Sequence, residues 1–342
     1  MTNRQLAQEN VPANEAAVVL DLAERLKQKI IGNNPTGPMR RDAHSKMHGV
    51  VRAEFIVESG LPEELRVGLF REPGRYRAWI RFSNQFDVIN PDRDKDIRGM
   101  AIKLMGVPGA KLLEEERDAQ TQDFLLISTP VFVTRDVEQF AGLVEALMGG
   151  LLAKLWYFAT HWRVALNLWK SMQACEDPLA TRYFSTTPYL FGATAAKYSA
   201  IPHAREAFTA DRSRPDYLRD AMVRRLARED VEFDFAVQLQ TDPASMPIED
   251  PGRAWSEAAS PFRKVATVRI PRQEFDSEAQ RDFGENLSFT PWHCLPEHRP
   301  LGGINRARKL VYRFISTFRH RVNHAPRREP DSWDITQPAL HE

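Results

Sequence analysis

Residues 231–240, VEFDFAVQLQ, put Val231, Phe233, Phe235, Val237 and Leu239 on one side of an extended chain and Glu232, Asp234, Gln238 and Gln240 on the other. Side chains alternate faces in this way in a β-strand, so the stretch predicts a sheet with one buried face. Similar strand-like runs are VVRAEFIV (50–57), YRAWIRFS (76–83), IRGMAIKLMG (97–106), DFLLIS (123–128) and KVATVRI (264–270), with turn residues between neighbours. Helical patterning covers 14–31, where Val18, Leu22 and Leu26 share a face. It resumes near Thr134, runs with breaks to about residue 230, and returns from about Ile304 after an irregular stretch rich in proline, histidine and glycine. Strands interrupted by helices predict an α+β fold built on an antiparallel sheet or barrel.

A chain of 342 residues can bury a large core, as one big domain or two ordinary ones. With 47 basic against 46 acidic residues, net charge gives no reason to expect nucleic acid or an anionic membrane as the main partner. The two cysteines, Cys175 and Cys294, form neither a disulfide framework nor a zinc module. The first thirty residues read as a polar lead-in and an amphipathic helix without a leader pattern, and a cytoplasmic protein is expected. The most apolar stretch, 145–172, is interrupted by Lys154, His161 and Arg163 and falls short of a membrane span. It reads as a buried or interface helix pair, with a lipid-facing surface helix as the alternative.

Two stretches bear on chemistry. In GGINRARKLVYRFISTFRHR (302–321), Arg308 lies about 40° and Arg319 about 20° around a helix from Tyr312, so all three share a face. Two fixed cations beside a phenol favour the phenolate, a good ligand for ferric iron. Alone, the stretch reads equally as a surface tyrosine on a basic helix. In MRRDAHSKMHG (39–49), His44 and His48 stand four apart, but the Glu of H-E-x-x-H is absent and the segment runs into a strand, which argues against zinc.

Taken in order, RDAHSKMHGVVRAEF, AWIRFSN, DIRGMAIKL, TPVFVTRDVEQF and RARKLVY resemble the catalase family of haem proteins, in particular its short, catalase-related branch. The matches cover about residues 38–142 and 284–320. The resemblance implies a catalase-like antiparallel β-barrel with added helices around one haem b (iron protoporphyrin IX). It implies Tyr312 as the iron ligand, with Arg308 and Arg319 keeping its oxygen deprotonated. His44 would be the general acid–base that carries a proton from the near to the leaving oxygen of a peroxide, with Ser83 fixing its tautomer. Arg41 and Arg81 would bind the haem propionates, and Phe140 would pack on the porphyrin. His48 has no matching role and is expected to be structural; His293 and His298 would at most shape the haem edge.

The chain also departs from the family. An asparagine of the large catalases falls on Ile127, with Ser128 beside it, so an amide that orients hydrogen peroxide is missing or replaced by a hydroxyl. The reading implied is a haem-dependent hydroperoxidase reducing organic or hydrogen peroxide, with weak catalase activity at most. The alternatives are a fatty-acid hydroperoxide isomerase or lyase of allene oxide synthase type, and a non-catalytic haem-binding or sensing protein. Its partners would be a peroxide and an unidentified electron donor, with no nucleic acid and no transmembrane segment, and with a homo-oligomer left open. The expected organisation is a lead-in and helix (1–36), a haem domain (37–325) with a helical insertion at about 134–230, and a C-terminal tail (326–342).

Overall fold

The computed structural model describes residues 5–204, 211–327 and 329–335. The ends of the expected lead-in and tail, residues 1–4 and 336–342, lie outside them. The strands are β1 Met47–Val57, β2 Gly74–Asn84, β3 Arg98–Met105, β4 Thr121–Ile127, β5 Tyr183–Phe184, β6 Tyr189–Phe191, β7 Thr194–Pro202, β8 Val231–Leu239 and β9 Arg263–Ile270. They form one antiparallel sheet in the order β5-β4-β3-β2-β1-β9-β8-β7-β6. A further pairing of β5 with β7 closes it into a barrel, and closure removes the exposed edges that an open sheet would present.

Alternation decides which side chains fill the barrel. Val51, Ala53 and Phe55 of β1, Ala78, Ile80 and Phe82 of β2, and Phe233, Phe235 and Val237 of β8 all point into one core. Phe235 sits at the centre, with ring centroids 5.0 Å from Phe55 and 4.8 Å from Phe124. Each such side chain contributes roughly 1.5–3 kcal/mol by burial.

The helices are α1 Glu15–Asn33, α2 Val137–Met148, α3 Leu151–Thr160, α4 Trp162–Ser171, α5 Tyr217–Leu226, α6 Glu278–Asn286 and α7 Gly303–Val322. Leu22, Leu26 and Ile30 of α1 pack with Val137 and Val144 of α2 and Ile304 and Ile315 of α7 in a second core outside the barrel. The lead-in and tail are fastened to this body. Arg306 of α7 holds Glu9, Glu15 and Glu249. Buried Lys103 of β3 reaches Glu329 at 2.6 Å, and Trp79 donates to Ser332 O at 3.0 Å.

Two expectations are corrected. The stretch 134–230 is not helical throughout, because β5, β6 and β7 lie within it and close the barrel. β5 and β6 are too short to show a period, and the middle of β7 (TAAKYSAIP) is buried without alternation, so its alanines mimic a helix. The stretch 145–172 is a helical hairpin, but it is not buried: Leu152, Trp156 and Trp169 are 82%, 73% and 71% exposed. No helix among the described residues is long and apolar enough to cross a membrane.

Candidate active site

The outward faces of β2, β3 and β4 present two rows across the barrel wall. Register aligns Ser83 with Gly99 and Ile127, and Arg81 with Ala101 and Leu125. The middle strand contributes only small residues, so the wall is hollowed there. A Cβ on Gly99 would lie 2.6 Å from His44 Cε1 and 2.9 Å from Ser83 Oγ, closer than real contacts allow. Gly99 therefore gives the imidazole its place. Gly99→Ala is expected to cost about 1–3 kcal/mol by overpacking, read as a lower urea midpoint at unchanged m.

His44 precedes β1, beside a register irregularity between Met47 and Gly49, a feature common next to active sites. Its backbone has φ 60°, an uncommon conformation for a residue with a side chain. Two contacts hold it: its N–H donates to Gln85 O at 3.0 Å, and its Nδ1 meets Ser83 Oγ at 3.1 Å. Burial, and then the charges of Arg81, Arg308 and Arg41, push its pKa down to about 3. The ring is thus neutral at ordinary pH and free to accept a proton.

On α7, Arg308 Nη2 donates to the Tyr312 hydroxyl at 2.8 Å, and the guanidinium lies 4.9 Å from the ring centroid. Burial opposes the Arg308 charge, but Tyr312 and Tyr189 outweigh it and the pKa is raised. Arg308 Nη1 donates to Asn305 Oδ1 at 3.2 Å, and buried Asn305 donates to Pro188 O at 2.9 Å, so the pair is indexed to the barrel. Sequence reasoning missed Asn305, which stands three residues before Arg308 on the same helix face.

Arg319 does not join them. Seven residues further on, it is about 10 Å along the helix axis, and a shared face does not cancel that rise. It donates instead to Met39 O and Glu285 O, both at 3.2 Å. Arg41 and Arg81 converge on the Glu285 carboxylate at 3.0 and 3.3 Å, and Arg41 also donates to Leu287 O at 2.6 Å. Burial lowers the pKa of all three arginines, Arg319 to about 10. Glu285 pays the same desolvation, yet the arginines hold its carboxyl below the usual range. Two guanidiniums share one carboxylate, Arg319 reaches only the Glu285 backbone carbonyl, and among the described residues no second carboxylate pairs with the three. Helix α6, which delivers Glu285, is signalled in the sequence by the Ser277-x-x-Gln280 capping pattern, and the Ser277 hydroxyl accepts the Gln280 N–H.

Between these groups, Ile127, Phe132, Phe140, Val311 and Tyr312 keep part of their surface accessible, so barrel and helices do not close on each other here. Phe132 and Phe140, with ring centroids 5.4 Å apart, border both the α1–α2–α7 core that Val311 borders and the cluster that Ile127 borders. Ser128 Oγ accepts the Arg98 N–H at 2.9 Å, which commits an acceptor that would otherwise stand in for a missing amide. His48, His293 and His298 lie in packed structure. His48 meets Asn84 Oδ1 at 2.6 Å; His293 bonds Thr121 and Glu116; His298 accepts the Leu69 N–H at 3.0 Å in the barrel core. Among the described residues no group of three or more His, Cys, Asp or Glu side chains gathers as a metal site.

No family model matches the chain, and no curated protein matches it. Solved structures do. A fungal catalase superposes with TM-score 0.65 at 17% identity, over 86% of this chain and 62% of that one, so the chain spans less than two thirds of that protein's length. Catalase A from Saccharomyces cerevisiae gives 0.66 at 16% identity over 96% of this chain and 72% of its own. A bacterial catalase gives 0.62 at 15% over 100% and 69%. At these identities the likeness is one of fold: the α+β architecture, with its closed antiparallel barrel and surrounding helices, is that of the catalases.

Proposed function

We propose that the chain is a distant catalase-family haem protein of the short, catalase-related branch, acting as a hydroperoxidase on organic peroxides. One observation carries the reading: a surplus of buried guanidinium charge, on Arg41, Arg81 and Arg319, beside a hollow with a tyrosine oxygen and a neutral histidine. Two of those three charges have no carboxylate of their own, which suits a group bearing two propionates. Arg81 Nε is also buried without a hydrogen-bond partner. Gly99 seats the His44 imidazole against the wall, Ala101 keeps the neighbouring position small, and Phe132 and Phe140 supply apolar sides for a flat macrocycle.

In this reading Tyr312 would hold the iron of haem b, and the three arginines its carboxylates. Haem b supplies redox-active iron that exchanges electrons with the peroxide bond. Arg308 donates to the Tyr312 oxygen and would orient it for that role. His44, neutral and fixed by Ser83, takes the hydroperoxide proton and returns it to the leaving oxygen, which departs as an alcohol or water rather than as a basic anion. Ile127, opposite Gly99, gives the hollow an apolar wall where an amide would hold a second hydrogen peroxide. An alkyl hydroperoxide gains about 25 cal/mol for each Å² of apolar surface it buries there.

Haem-loaded protein assayed with hydrogen peroxide alone, with cumene hydroperoxide plus an electron donor, and with a fatty-acid hydroperoxide without donor tests the assignment. The expected result is a higher kcat/KM for the organic peroxide with donor than for oxygen release. Dominant oxygen release would make it a catalase proper, donor-free rearrangement an isomerase, and stoichiometric haem without turnover a carrier or sensor.

A further inference from the structure

The helices α3 and α4 leave a large apolar surface uncovered. On α3, Leu151, Leu152, Leu155 and Trp156 fall within about 140° of arc, and on α4 Trp162, Leu166 and Trp169 fall within about 60°. All seven are exposed, and Leu147 and Met148 at the end of α2 add to them. Soluble surfaces rarely keep a contiguous apolar patch of this kind without a partner. The opposite side of the hairpin is pinned. Tyr157 and Val164 are buried, and the Tyr157 hydroxyl donates to Gln139 O at 2.6 Å. Only His161 separates the two helices, so the two exposed stripes follow each other directly along the chain.

Charge selects the occupant. Between Glu145 and Glu176 the chain carries Lys154, Arg163 and Lys170 and no acidic residue. Glu145 itself pairs with Arg25 at 3.4 Å, while none of the three cations has a carboxylate partner among the described residues. On α4, Arg163 and Lys170 lie about 80–100° from Trp162, flanking the apolar stripe; on α3, Lys154 flanks it about 60° from Leu151. A second copy seated on this face by a two-fold axis would bring unpaired cations against unpaired cations. A nucleic acid would leave the leucines exposed. Leucine and tryptophan in the middle with lysine and arginine at the flanks is what an interfacial helix presents to lipid. Each helix has ten residues and is about 15 Å long, half the hydrocarbon thickness, so the hairpin would lie on a bilayer rather than cross it.

We propose that the α3–α4 hairpin docks the protein on the surface of an anionic phospholipid bilayer. The inference rests on surface chemistry alone and is independent of the reaction proposed above. It has a structural consequence for the hollow, because Tyr157 and Val164 share one apolar cluster with Ile127, Phe132 and Phe140, so a docked hairpin puts the hollow's wall next to the lipid.

Co-sedimentation of the full chain with vesicles of phosphatidylcholine, alone or mixed with phosphatidylglycerol, tests it without any peroxide. Binding is expected on the mixed vesicles, with a blue shift of tryptophan emission, and should weaken as salt rises from about 0.1 M to about 1 M and screening shortens from about 10 Å to about 3 Å. Each basic residue near such a surface strengthens binding roughly five-fold, so Arg163→Glu with Lys170→Glu should weaken it on the order of 25-fold or more. Leu152→Ser with Trp156→Ser and Trp169→Ser should abolish it. All five residues are exposed, and far-UV circular dichroism of both variants should overlay the native trace. Absence of binding to mixed vesicles, equal binding to the two compositions, or native binding by either folded variant would overturn the inference. So would sedimentation velocity finding, without lipid, a dimer that the serine variant dissociates.

Discussion

Tyr312→Phe is expected to take up haem at least ten- to a hundred-fold more weakly than the native chain, and to lose the tyrosinate-type charge-transfer band of whatever it retains. The substitution removes one oxygen and keeps the ring, so packing against α7 changes little. It also removes the hydroxyl that accepts from Arg308 Nη2. Arg308 keeps its bond to Asn305, which limits the damage to the fold. A buried guanidinium that loses an acceptor costs roughly 1–3 kcal/mol, which the apo-protein melt would report separately from ligand affinity. Titration of apo-protein with haem, followed at the Soret band, makes the comparison. A variant with native affinity and an unaltered spectrum would show that Tyr312 is not the ligand and would remove the main support for the haem assignment.

What could be read in the sequence was whatever is written locally. β8 announces itself because one face is buried in the barrel and period two survives, and β1 to β4 and β9 read as strand-like runs bounded by turn residues. The run Arg308-x-x-x-Tyr312 is legible because one helical turn brings i and i+4 together. Arg319 shares that face without reaching Tyr312 for the complementary reason: angle repeats around a helix, whereas distance along it does not. β5 and β7, which close the barrel, left no period because β5 is two residues long and β7 is buried on both sides. Glu285 and Gly99 meet Arg81 and His44 only through tertiary structure, so no spacing could connect them. The hairpin misled differently. Its apolarity reads as a buried or interface helix pair, and burial fails because apolar residues report only that water is not the intended final neighbour.

His44→Ala, at matched haem content, is expected to lower peroxide turnover by roughly two to four orders of magnitude, the usual worth of a positioned acid–base group. His48→Ala should cost far less turnover, because His48 meets Asn84 inside packed structure and has no access to the hollow. The two histidines also predict how pH enters. Burial sets the His44 pKa at about 3, against 6.5 for a free ring. The pH–rate profile should therefore show no loss of base near pH 6.5, and the acid limb should reflect unfolding or haem loss. The unfolded chain binds the proton between pH 6.5 and about 3 while the folded one does not, so native stability is full above 6.5 and falls as pH drops through that window. At pH 5 the His44 penalty is on the order of 2 kcal/mol. Apo His44→Ala should thus lose about that much less stability than native apo-protein between pH 7 and pH 5, in urea melts at the two pH values. A kinetic limb near pH 6.5 that His44→Ala removes would mean that the ring titrates like a solvated histidine. It would then be a group at the mouth of the hollow rather than the base held against Gly99 and Ser83.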